Sequence, residues 1–207
     1  MAYDSETWTK RIAERTDISS QVVHLTRGSG GKSVNEVLFD IVSQQNLKGS
    51  STQSGFICGS RKAVCFQDAP LVSICQNVFY EQKYKKSNPT AKDRYRAVGI
   101  AFGKQYAYRK GARPVIYDKT TEAKKYLPES EWWRIVNYDL TDPKGLIDWT
   151  HEREWRIPDD MNFDLKEATL LFVNSKSFRE FEKICENNKS DYLKKVRGIV
   201  VMDNLLY

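Results

Sequence analysis

The sequence predicts an α+β fold in a single domain over residues 1–207. Short apolar runs bounded by Gly, Pro and polar clusters dominate the middle of the chain. Helical periodicity is confined to a few segments between them. With 207 residues, 40% hydrophobic and 12% aromatic, the chain can bury a core of its own, which excludes whole-chain disorder. The regular strand–helix alternation of a doubly wound sheet is missing.

The elements follow in order. Residues 22–25 (Val-Val-His-Leu) read as a strand, and Gly28-Ser29-Gly30-Gly31 breaks the chain behind it. Ser33 and Glu36 form a capping box, followed by Val34, Val37, Leu38, Ile41 and Val42 at helical spacing. After a polar segment at 48–54, residues 56–58 and 63–66 read as strands. Pro70 opens a helix through Leu71, Ile74, Cys75 and Val78. Residues 81–96 are charged and aromatic, and read as a solvated loop. A strand at 97–102, a short helix at 104–109 ending at Gly111, and a strand at 114–117 come next. Residues 132–136 are aromatic and apolar, without a defined type. Glu154 to Ile157 alternates and stops at Pro158, as a strand does. Residues 168–173 read as a buried strand, 177–184 as a helix with Phe178, Phe181 and Ile184 on one face, and 196–202 as a last strand.

Composition sets outer limits on function. No run of about 18 apolar residues is present, so no membrane span is expected. The N-terminal residues lack an apolar signal core, and a cytoplasmic location is expected. Cys58, Cys65, Cys75 and Cys185 show neither C-x-x-C nor zinc-finger spacing, so reduced thiols and no metal are expected. A net charge of +6 permits a polyanionic partner without demanding one.

The chain has two histidines. His24 lies inside the first strand, where a lone imidazole is commonly a structural hydrogen-bonder. Thr26, Arg27 and the glycines follow it, and a backbone free of side chains there can approach a dinucleotide. The glycines match neither G-x-G-x-x-G nor a P-loop. His151-Glu152-Arg153-Glu154-Trp155-Arg156 is the densest charged segment. Trp155 stands where a zincin needs its second histidine, so that class is excluded. On a strand, Glu152 and Glu154 would share a face. They are then either solvated edge charges or a site. Gln67 and Asp68 read as caps of the helix behind Pro70. Trp132, Trp133, Trp149 and Trp155 read as core. Tyr84, Lys85, Lys86, Arg94 and Arg96 would either solubilise a loop or track single-stranded nucleic acid.

Glu152-Arg153-Glu154 is similar to the Glu-x-Glu of arginine-type mono-ADP-ribosyltransferases, whose second Glu is catalytic. Residues 22–27 (Val-Val-His-Leu-Thr-Arg) resemble the first core strand of that fold, which presents a His or Arg to NAD. The chain also resembles bacterial abortive-infection and phage-defence families at residues 64–70, 111–117 and 151–156. The Ser-Thr-Ser of the second core strand has only Ser50-Ser51-Thr52 near it.

The resemblance implies a split, mainly antiparallel β core with flanking helices, ADP-ribosyltransferase-like. It implies a toxin of a bacterial phage-defence or toxin–antitoxin module that takes NAD as substrate. The acceptor would be a nucleic acid, RNA before DNA, and a cognate antitoxin protein would be a partner. Glu154 would be catalytic and Glu152 would serve the acceptor. His24, Thr26 and Arg27 would bind NAD, and Arg113, Lys85, Arg94 and Arg96 would contact the acceptor. Two other readings stay open. One is a non-enzymatic, antitoxin-like binding partner on the same scaffold. The other is a metal-dependent nuclease using Asp68, Asp118, Glu152 and Glu154, which no D…E-x-K arrangement supports.

Overall fold

A computed structural model describes residues 2–91 and 96–205. The chain runs α1 (Ser5–Ala13), β1 (Gln21–Leu25), α2 (Val34–Gln44), β2 (Asn46–Leu47), β3 (Ala63–Gln67), α3 (Leu71–Ser87), β4 (Gly99–Gly103), α4 (Lys104–Arg109) and β5 (Arg113–Pro114). It continues through β6 (Ile116–Asp118), α5 (Thr120–Tyr126), β7 (Ile135–Asn137), β8 (Glu154–Pro158), β9 (Met161–Asn162), β10 (Thr169–Phe172), α6 (Ser175–Asn187), α7 (Tyr192–Lys195) and β11 (Gly198–Val201).

Seven strands form one sheet in the order β11-β10-β4-β1-β3-β8-β5. Its pairings are antiparallel except β10–β11, which is parallel. The helices flank this sheet, so the protein is a single α+β domain. The joint between β1 and β3 is weak. They share one residue pair, Val23 with Gln67, whereas β1–β4 and β3–β8 each share five. The sheet thus consists of two halves joined through one residue pair.

Alternation along the strands sends apolar side chains to both faces. On one face Val22, Val64, Phe66, Ile100, Phe102, Leu170 and Phe172 pack against Leu38 and Val42 of α2 and Phe181 of α6. Fully burying side chains of this size contributes about 1.5–3 kcal/mol each. The capping box starts α2 as expected: Ser33 Oγ accepts from the Glu36 amide at 3.3 Å, and Glu36 Oε2 accepts from the Ser33 amide at 2.7 Å. On the other face, α3 covers the β1–β4–β10 half through Ile74, Cys75 and Val78, which meet Val23, Ala101 and Leu171. The β3–β8 half of that face is covered by different segments, with Ile57 and Trp133 packed on Ala63 and Cys65.

Three expectations are corrected. Residues 56–58 form no strand; Phe56 and Ile57 are bends and Cys58 is irregular. The loop expected from 81 is helical as far as Ser87, because α3 continues well past Val78. Its Arg94 lies outside the described residues. Neither Gln67 nor Asp68 caps α3, whose N-cap is Pro70 without a side-chain cap. Helices α1, α5 and α7 carry no buried apolar stripe strong enough to mark them in the sequence.

Candidate functional site

His24 sits at the joint between the half-sheets. Beyond Val23 the backbone ladder to β3 stops, and the imidazole takes its place: His24 Nδ1 lies 2.9 Å from the Cys65 carbonyl. A carbonyl only accepts, so Nδ1 carries the proton. Burial pulls the imidazole pKa down, and the Cys65 carbonyl opposes this only in part. The ring is therefore held neutral with Nε2 left as an acceptor, suited to a hydroxyl proton. Its edge contacts Phe66, with ring centroids 5.9 Å apart.

On the neighbouring strand pair, Gln67 faces Glu154, Phe66 faces Trp155 and Cys65 faces Arg156. Glu154 and Arg156 share a face two residues apart and form a buried ion pair. Arg156 Nε donates to Glu154 Oε1 at 2.7 Å, and one terminal nitrogen donates to Oε2 at 3.2 Å. The remaining guanidinium protons go to the carbonyls of Trp133 (2.9 Å), Ile135 (3.0 Å) and Phe56 (3.1 Å). All five donors of the guanidinium are used. Arg156 thereby ties β8 to the two segments that cover this face. Each Glu154 oxygen accepts one of these bonds and keeps acceptor capacity.

Three further groups surround the carboxylate. The Tyr117 hydroxyl accepts from the Glu154 amide at 2.7 Å, and burial pushes its pKa up to about 12. Burial and the neighbouring carboxylate hold the Cys65 thiol well above its usual pKa, so it stays protonated and unreactive. Gln67 is only 6% exposed, and among the described residues its Oε1 has no hydrogen-bond donor. A buried acceptor without a donor is costly, and it marks a place where a ligand or water proton fits.

Other expected site residues lie elsewhere. Glu152 does not share a strand face with Glu154. It closes a 3-10 turn at Thr150–Glu152, Arg153 takes a left-handed conformation (φ 45°), and β8 begins only at Glu154. Across the one shared residue pair, Val23, Gln67 and Glu154 lie on one face, so His24 leaves the sheet on the other. Two strand spacings, roughly 10 Å, separate their strands. Thr26 is buried, its amide bonded to the Val98 carbonyl at 2.8 Å, and Arg27 is exposed just beyond β1. This end of β1 adjoins an open groove of about 410 Å³, lined by Gly28, Asn35, Arg96, Asn174, Lys176 and Glu180 among others.

Arg113 is committed locally: it donates to the Tyr108 and Ala112 carbonyls and stacks 3.8 Å from the Tyr108 ring centroid. Lys85 donates to the Ala91 carbonyl. Asp68 pairs with Lys104 at 2.8 Å and accepts from Trp155 Nε1 at 3.1 Å. Asp118 accepts from Tyr126 at 2.8 Å. Among the described residues no three His, Cys, Asp or Glu side chains gather as a metal site requires. The sequence reading gave no site role to Arg156 or Tyr117, and took Gln67 for a helix cap. The Glu154-x-Arg156 alternation was the available signal for the first. Nothing local marked the other two.

Comparison with family models, with curated proteins and with solved structures gave no match. Among the described residues no helix is long and apolar enough to cross a membrane.

Proposed function

We propose that the protein is an NAD-dependent mono-ADP-ribosyltransferase, a cytoplasmic toxin of a bacterial defence module with a nucleic-acid acceptor and a cognate antitoxin. One observation carries this reading: β1 and β3 share a single residue pair, a neutral His24 reaches across it to the Cys65 carbonyl, and Glu154 stands on β8, the strand beyond β3. His24 and Gln67 lie on opposite faces of the sheet, so a dinucleotide has to reach both across the β1–β3 joint. His24 Nε2 accepts a ribose hydroxyl proton, and a hydroxyl or carboxamide N–H supplies the donor that Gln67 Oε1 lacks. Arg27 at the open end of β1 meets the pyrophosphate.

In the reaction the bond between nicotinamide nitrogen and ribose C1′ breaks, and its electron pair leaves with nicotinamide. The ribose carries cationic character at that moment. Glu154, fixed by Arg156, stabilises it electrostatically. The acceptor nucleophile then bonds to C1′, and its proton passes to Glu152 or to water.

The test is incubation of the pure protein with NAD labelled in its adenylate, with separate pools of RNA, DNA and protein. Label on nucleic acid together with free nicotinamide supports the reading. A second reading, a binding protein on this scaffold, is favoured by the neutralisation of Glu154 by Arg156 and by its position on the face opposite His24. It predicts no nicotinamide release with any acceptor.

A further inference from the structure

We infer that the outer face of α3 is a stacking platform for single-stranded nucleic acid. This rests on the nucleic-acid acceptor of the proposed function but requires no NAD chemistry. The inner face of α3 is already satisfied by Ile74, Cys75 and Val78 against the sheet. The outer face should then be polar. Instead Phe79 is 59% exposed, Tyr80 64% and Tyr84 48%. Tyr80 and Tyr84 lie one turn apart with near-parallel rings, 6.4 Å between centroids and 16° between planes. The long helix α6 shows the contrast: its outer face carries Arg179, Glu182, Lys183 and Glu186, and no exposed large apolar side chain.

Charge selects the occupant. None of the fully exposed residues of α3 is acidic, its one carboxylate, Glu81, being half-buried, and Lys83 and Lys86 are exposed on the same stretch of helix as the rings. A second copy of the chain would bring like charges together. A single strand of nucleic acid brings phosphates to the ammonium groups and flat bases to the rings. A duplex hides its base faces and cannot use the tyrosines. Because Lys85 turns inward to the Ala91 carbonyl, Lys83 and Lys86 replace it as the phosphate contacts on this helix.

The test is fluorescence polarisation without NAD, using an unstructured RNA of about 15 nucleotides, the DNA of the same sequence, and the corresponding duplex. Both single strands should bind more tightly than the duplex, and the RNA-to-DNA ratio reports any contribution of the 2′-hydroxyl. Tyr80→Ala/Tyr84→Ala should weaken single-strand binding at least fivefold, from the stacking lost per base. Tyr80→Phe/Tyr84→Phe should bind as the wild type does. Lys83→Ala/Lys86→Ala should reduce the salt slope by about 1.4, at roughly 0.7 per phosphate contact. Unchanged binding by the folded Tyr→Ala pair would overturn the platform, as would equal affinity for the duplex. So would a chain that dimerises through these tyrosines and ignores RNA. Binding without nicotinamide release would leave the platform standing and remove the transferase reading alone.

Discussion

His24 donates its Nδ1 proton to the carbonyl of Cys65, across a gap that the backbone ladder leaves open. A side chain thus does what a main-chain amide does elsewhere in the sheet. The bond sets the tautomer, holds the half-sheets in place and leaves Nε2 as an acceptor.

The first consequence is a pH dependence of stability. Burial lowers the folded pKa of His24 below the unfolded value near 6.5. Between those two values the unfolded chain binds a proton that the folded chain refuses. Stability is therefore complete above about pH 6.5 and falls as pH drops toward the folded pKa. His24→Gln should flatten the difference between urea midpoints at pH 7.5 and pH 5.5. An equal slope in both proteins would place the dependence on other groups.

Arg156 should behave as a structural node. Arg156→Met strands the buried Glu154 charge and removes a donor from each of three carbonyls. The loss should be about 3–5 kcal/mol. Replacing both partners with apolar residues (Glu154→Leu/Arg156→Met) should recover part of it, since the stranded charge is gone. Urea denaturation of the three proteins measures this. If the single variant loses under 1 kcal/mol, the pair is not buried in solution.

Gly99 tests the packing behind His24. A Cβ at this position would lie 2.0 Å from the His24 carbonyl oxygen, a backbone atom that cannot swing away. Gly99→Ala should cost about 1–3 kcal/mol, as overpacking does. It should also shift the His24 imidazole resonances. A variant of wild-type stability and unchanged resonances would mean that β1 and β4 are further apart than described.

Glu152 and Glu154 should separate kinetically, because a turn and a left-handed residue part them. Glu152→Gln should suppress transfer to the acceptor while sparing NAD hydrolysis to water. Nicotinamide release and acceptor labelling, measured together, show this. Parallel loss of both would make Glu152 part of the NAD site.

Much of the fold was legible because single local signals announce it. The Ser33–Glu36 box marks the start of α2, and Phe178 and Phe181 mark the buried side of α6. Residues 154–158 were readable as a strand from alternation and Pro158. Alternation was misleading one step earlier: Glu152 has the right spacing to share a face with Glu154, but the left-handed Arg153 ends the strand between them. Only pairing across the sheet reveals that Gln67 faces Glu154, because 87 residues of chain separate them. The last turns of α3, from Glu81 to Ser87, read as a loop, since their mix of charged and aromatic residues hides the helical period that Ile74, Cys75 and Val78 show.

The most direct measurement is nicotinamide release from NAD by the wild type and by Glu154→Gln, with the folded fraction of each determined first. The variant removes the charge that the proposed mechanism places against the cationic ribose and keeps the side-chain shape. Its turnover should fall roughly a hundredfold to a thousandfold at unchanged NAD affinity. A folded Glu154→Gln protein that releases nicotinamide at the wild-type rate, or a wild type that releases none with any acceptor pool, would contradict the transferase assignment.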